Sequence, residues 1–296
     1  MFEALGRWKR ILGGEDLGNI AEISVAAQRS IPRHGLMECE QTCSGEAQAC
    51  VLQRIRHLLA CGSDSLAVLV LPGAFNPVHS EHIRSVELAR DYLEQTGSAV
   101  VGAFLQPSSD SYVTSKLGPD WAMSLSDRIT ACELAAAERA EQRKQELWIH
   151  AWRSGTTNGF AVPRHVGNFI NAIFEESCSG ASPLQRPIQA YLVCGADLVI
   201  RCGGWSRPIT PPTIVLPRHD VVLPEERMAE GWHVVASGDH TQPVSSTQIR
   251  EAIGQGQWQV LVEVGCGVAV SEFMRARHDA GRLFMANAGH GKRYSN

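Results

Sequence analysis

From about residue 50 onward, apolar positions switch between two spacings, and the switching predicts a chain of alternating helices and strands. Val51, Leu52, Ile55, Leu58 and Leu59 share one side of a 3.6-residue period and predict an amphipathic helix, with Arg54, Arg56 and His57 on its other faces. Leu66 to Leu71 is an unbroken apolar run, short enough for a strand buried on both sides. Pro72, Gly73, Asn76 and Pro77 then interrupt regular structure. Ser80 is a candidate N-cap, after which Ile83, Val86, Leu88, Ala89 and Leu93 recur at helical spacing as far as Gly97.

The pattern repeats downstream. Residues 99–105 predict a second buried strand, and strand, helix and strand together predict a parallel βαβ unit. Residues 106–124 read as one long loop, and a helix is expected from Ser126-Asp127-Arg128, with Ile129, Cys132, Leu134, Ala135 and Ala136 inward. The charge-dense stretch 138–146 reads as its solvated face. Further strands are expected at 148–152, 189–194, 213–216 and 233–235, with helices at 163–177, from Ser245 to Gly254 and at 267–279. This order predicts an α/β protein with a doubly wound, mainly parallel sheet and helices on both faces. Three stretches follow: an N-terminal extension, 1–62, partly irregular with one helix; an α/β domain, 63–284; and a polar C-terminal tail, 285–296, expected to fray.

Composition narrows the chemistry. A chain of 296 residues with 44% hydrophobic and 20% charged positions can bury a full core. A net charge of −4 gives no broad field for nucleic acid or an anionic membrane, so any phosphate binding must be local. No apolar run approaches the ~20 residues that span a bilayer. Met1 to Arg10 is basic but precedes no long apolar segment, and Glu3, Glu15, Asp16 and Glu22 make the start acidic. Cytoplasm or nucleus is the expected compartment. Nine cysteines without a Cys-x-x-Cys pair read as reduced thiols, and no metal-ligand set is expected.

Two clusters carry candidate chemistry. His79 and His82 bracket a predicted helix start at the carboxyl end of a buried strand, where open α/β sheets take ligands and a helix N-terminus favours an anion. Their i, i+3 spacing would also suit a metal, but the sequence supplies no third ligand. In Val244-Ser245-Ser246-Thr247-Gln248-Ile249-Arg250, capping explains Ser245 or Ser246 alone. Three consecutive hydroxyls with Arg250 one turn on read instead as a polyphosphate site.

Gly73-Ala74-Phe75-Asn76-Pro77-Val78-His79-Ser80-Glu81-His82 resembles the Gly-x-Phe-x-Pro-x-His-x-x-His signature of the adenylyl- and cytidylyltransferase superfamily. Together with the downstream serine–threonine–arginine motif and the segments 87–93, 107–112, 127–128, 148–154, 194–197 and 250–257, the chain is similar to eukaryotic-type nicotinamide mononucleotide adenylyltransferases. Residues 1–62 lie outside the resemblance.

That resemblance implies a Rossmann-like fold and adenylyl transfer from ATP to nicotinamide mononucleotide, or to nicotinic acid mononucleotide, forming NAD and pyrophosphate with Mg²⁺ carried mainly by the ATP phosphates. It implies that Gly73, Ala74, Phe75, His79, His82, Arg218, Ser246, Thr247 and Arg250 bind ATP, with His82, His79 and Arg250 catalytic. Asn76, Lys116, Trp148, Gly195, Asp197 and Trp205 are implied on the acceptor side, although core packing explains either tryptophan equally well. ATP and a mononucleotide are the implied partners, and a homo-oligomer is left open. The chain departs from the family where Trp152-Arg153-Ser154 replaces Trp-Glu-Ser, and where Lys116 alone remains for a basic loop. Transfer to another phosphorylated acceptor, such as phosphopantetheine or phosphocholine, and a nucleotide-binding scaffold without catalysis stay as alternatives.

Overall fold

In the computed structural model, residues 43–285 are described, apart from 157, 179–183, 185, 202, 218–220, 225–226 and 236–243. Strand β1 (Leu66–Gly73) is apolar toward both sides. Ala67, Leu69 and Leu71 enter one core, while Leu66, Val68 and Val70 enter another on the opposite face. A strand alternating between two dry faces has no polar position to spare, which is why it reads as a continuous apolar run.

Its neighbours are β2 (Ala99–Pro107), β3 (Ile149–Ala151), β4 (Gln189–Gly195), β5 (Thr213–Leu216) and β6 (Trp232–Val234). The six described strands lie in the order β3-β2-β1-β4-β5-β6, and every pairing is parallel. This bears out the doubly wound α/β class. The order reverses between β1 and β4, so a crevice opens at their carboxyl ends.

The helices are α1 (Gly45–Ala60), α2 (Ser80–Gln95), α3 (Asp110–Leu117), α4 (Leu125–Arg143), α5 (Val162–Ser177), α6 (Ala196–Arg201), α7 (Ser246–Gly254), α8 (Trp258–Glu263) and α9 (Val268–Asp279). Apolar residues of α2, α4, α7, α8 and α9 share the core of Ala67 and Leu69, and α1 and α5 cover the other face. Helix α1 begins earlier than its apolar stripe, because Ser44 caps it by accepting from the Ala47 amide at 3.2 Å. Its Val51, Leu52 and Ile55 are buried against the sheet.

The expected loop at 106–124 contains α3. Only Val113 of that helix is buried, so it leaves no apolar periodicity; Ser109 caps it by accepting from the Tyr112 amide at 3.3 Å. Helix α4 starts from Ser124, whose hydroxyl accepts from the Asp127 amide at 3.1 Å, two residues before the expected start. The short helices α6 and α8 were not expected. Met285 donates its amide to the Ala122 carbonyl at 2.9 Å, whereas the rest of the expected tail lies outside the described residues, as do residues 1–42. Among the described residues, no helix is long and apolar enough to cross a membrane.

Candidate nucleotide-binding site

The loop from β1 to α2 forms one wall of the crevice. Phe75 adopts φ 45, a left-handed conformation that costs an L-residue about 1–2 kcal/mol. Burial of its ring offsets that cost, and the ring lies so close over Gly73 that a Cβ there would meet it at 3.0 Å. A side chain at 73 would thus press on the Phe75 ring, so glycine suits this position through contact rather than flexibility. Phe75 also meets the His82 ring edge-on, with centroids 4.9 Å apart.

His79 is the N-cap of α2 and His82 its third residue, and the two form a reciprocal capping box. The His82 Nδ1 atom accepts the His79 amide at 3.2 Å. In the neutral ring that bond leaves the proton on Nε2, making Nε2 the donor nitrogen. The two rings are tilted together with centroids 3.8 Å apart. Ser80 donates its amide to the Gly265 carbonyl at 2.8 Å, which ties the start of α2 to the turn before α9.

A second helix N-terminus meets the same loop. Ser245 caps α7, as the sequence predicts, by accepting from the Gln248 amide at 3.2 Å. Ser246 donates to the Pro77 carbonyl at 3.0 Å. Arg250 donates to the Asn76 carbonyl at 2.8 Å and to the Thr247 hydroxyl at 3.0 Å. Burial lowers the Arg250 pKa from its usual value, yet a guanidinium starts so far above neutrality that it keeps its charge. Two motifs about 170 residues apart thus join through direct bonds.

The remaining candidates are distributed unevenly. Ala74 lies in the β1–α2 loop, and its carbonyl accepts from Arg128 at 3.0 Å. The Asn76 side chain is used inside the protein: it donates to the Trp121 carbonyl at 2.7 Å and accepts the Met123 amide at 2.8 Å. These two bonds latch the β1–α2 loop to the segment before α4. Lys116 is exposed in the last turn of α3, beyond the carboxyl end of β2. Gly195 ends β4 beside β1, and Asp197 in the first turn of α6 pairs with Arg201 at 2.7 Å. Trp205 is buried in a third cluster with Val199, Val215 and Trp232. Arg218 lies outside the described residues.

Trp148 is not brought to this site. It precedes β3 and lies level with Gly102 of β2, well short of the carboxyl edge that carries the histidine loop. There it is buried, with the Arg90 guanidinium 4.5 Å over its ring. Trp152 follows β3 and occupies the carboxyl edge instead, packed on Phe104 and Phe169 at 5.5 and 5.7 Å. Arg153, next to it, is paired with Glu133 at 2.8 Å.

Arg128 is the site-supporting residue for which sequence reasoning gave no role. The resemblance covers 127–128 but assigns Arg128 no task; its burial and its bonds do. Among the described residues, no group of three or more His, Cys, Asp or Glu side chains could hold a metal ion.

A sequence model of the Cytidylyltransferase-like family matches residues 70–252, a span holding both helix N-termini. The chain is 33% identical over 138 residues to a nicotinamide/nicotinic acid mononucleotide adenylyltransferase of Oryza sativa subsp. japonica, covering 47% of this chain and 50% of that one. It is 28% identical over 211 residues to the Arabidopsis thaliana protein of the same name, covering 64% and 80% respectively. Against a nicotinamide-nucleotide adenylyltransferase of Drosophila melanogaster it is 28% identical over 219 residues, covering 62% and 54%. The chain thus spans about half the length of the rice relative.

Proposed function

The chain belongs to the cytidylyltransferase-like family, and from that premise we propose that it transfers the adenylyl group of ATP to nicotinamide mononucleotide, forming NAD and pyrophosphate. Nicotinic acid mononucleotide is a second acceptor in this reading, in keeping with the names of its relatives. One observation carries the proposal. The N-termini of α2 and α7 converge on a single loop at the point where strand order reverses, and they bring His79, His82, Ser246, Thr247 and Arg250 together. Helix N-termini, hydroxyls, imidazole donors and a guanidinium form a site for a polyphosphate.

The chemistry follows from that donor set. The acceptor's 5′-phosphate oxygen forms a bond to the α-phosphorus of ATP in line with the breaking bond to the bridging oxygen, and pyrophosphate leaves with that electron pair. A phosphate is already a sufficient nucleophile, so no general base and no covalent enzyme intermediate are needed. Positioning and charge stabilisation supply the acceleration. His82 Nε2–H donates to the α-phosphate, with His79 beside it, while Ser246, Thr247 and Arg250 hold the leaving phosphates. The acceptor lies toward Gly195, Asp197 and Trp205, because β4 is the strand next to β1 across the crevice. Mg²⁺ enters as part of the ATP substrate in this reading, since it is commonly held through substrate phosphates with few protein ligands.

The test is pyrophosphate release from ATP and Mg²⁺ with each mononucleotide in turn, for the wild type and His82→Ala. Turnover is expected with at least one of them, falling roughly a hundredfold or more in the variant. Near-normal turnover in His82→Ala would remove His82 from the reaction. Silence of the wild type with both mononucleotides would refute the acceptor assignment.

A further inference from the structure

Arg128, in the first turn of α4, is 0% exposed, and its guanidinium binds four separate pieces of chain. Nε donates to the Met123 carbonyl at 3.1 Å, one terminal nitrogen to the Ala74 and Ser108 carbonyls at 3.0 and 2.7 Å, and the other to the Asp110 carboxylate at 2.8 Å. Those acceptors lie in the β1–α2 loop, just past β2, in the first turn of α3 and in the segment before α4. The β1–α2 loop, the end of β2, the start of α3 and the segment before α4 therefore meet at one planar cation.

Such an arrangement is not an economical way to stabilise a fold. Burial lowers the Arg128 pKa, which the hydrogen bond and charge of Asp110 oppose. Apolar side chains of similar volume often replace a buried charge without loss of stability. The fork instead fixes directions, because a rigid planar donor set dictates where each acceptor must sit. Two of its partners bear directly on the site. The Ala74 carbonyl belongs to the peptide leading into Phe75, whose φ of 45 is strained and whose ring buttresses His82. Helix α3 has Val113 as its one buried residue.

We propose that Arg128 is a positioning residue for the phosphate site. Its guanidinium orients the Ala74–Phe75 peptide, and through the Phe75 ring it sets the His82 imidazole, while the Asp110 bond holds α3 in register with that loop. This rests on the adenylyl-transfer reading for its catalytic consequence, but the geometry it asserts is measurable without turnover. Arg128 acts through Phe75 and is not assigned a contact with substrate.

The experiment compares the full chain with Arg128→Lys, since an ammonium cannot serve all four acceptors in their present directions. The expected kcat per folded molecule falls about ten- to a hundredfold, as for an ångström-scale misplacement, with KM for ATP changed less than about threefold. The His82 ring ¹H–¹⁵N signals of the nucleotide-free protein are expected to shift in the same variant. Should Arg128→Lys not fold, Asp110→Asn carries the same test: it keeps the three carbonyl bonds and is expected to shift the same His82 signals by less. A lowered thermal midpoint with unchanged kcat and unchanged His82 signals would overturn the proposal and leave Arg128 as a fold-holding residue. If the wild type proves silent with every mononucleotide, the imidazole signals alone decide: shifted signals support the positioning role, and unshifted signals refute it.

Discussion

Asn76→Ala separates a latch from a ligand contact. The Asn76 side chain is 1% exposed, and both ends of its amide are engaged, by the Trp121 carbonyl at 2.7 Å and the Met123 amide at 2.8 Å. Alanine removes both partners at once. The Met123 N–H is buried and would be left unsatisfied, which costs about 1–3 kcal/mol. The Trp121 carbonyl is only partly buried and can turn to water, so its loss is nearer 1 kcal/mol. The sum is about 3 kcal/mol, which for a domain of this size lowers the thermal midpoint by roughly 6–12 °C. Calorimetry of the nucleotide-free protein reads that shift, and steady-state kinetics well below the transition read the substrate constants. If the side chain instead touched the acceptor, KM would rise with little change in stability. A fall of under about 2 °C together with a tenfold rise in acceptor KM would refute the latch.

Three further outcomes are expected. Burial holds His150 down to about 4 from its usual 6.5, so below 6.5 the unfolded chain takes up a proton that the native ring refuses. Its contribution is fully present above 6.5 and is lost as pH falls toward 4, in total about 3 kcal/mol. His150→Leu should flatten the pH dependence of urea unfolding between pH 7 and 4, and an unchanged slope would contradict this. Both oxygens of Glu138 accept from the start of α9, the Val268 and Ala269 amides at 2.9 and 3.0 Å, where the N-cap residue Gly267 has no side chain. Glu138→Ala should cost about 1 kcal/mol in equilibrium unfolding with kcat unaltered. Finally, chelation of Mg²⁺ should abolish pyrophosphate release and leave the melting of the nucleotide-free protein unmoved; a lowered midpoint would point to a resident ion.

The main strands, the long helices and the two motifs that meet at the β1–α2 loop were already legible in the sequence. Residues 66–71, 99–105, 189–194 and 213–216 are legible because a strand dry on both faces must be apolar throughout. Helices α2, α5 and α7 are legible because each buries a full stripe. Helix α5 carries a proline in its first turn and α7 starts from Ser245, whereas the N-cap of α2 is His79 and not the expected Ser80, which is its first helical residue. Helix α3 is not, since it buries one residue and depends on the bond from Asp110 to Arg128, eighteen positions on. The internal bonds of Arg128 and Asn76 are not legible in the sequence, because their partners become neighbours only in the fold. Trp148 and Trp152 are equivalent in any local pattern, and only the direction and register of β3 within an all-parallel sheet place Trp152 nearer the carboxyl edge. Local periodicity records how deeply a segment is buried. Which segments become neighbours, and toward which end a side chain is carried, is decided by strand order and long-range pairing, and these have no local period to read.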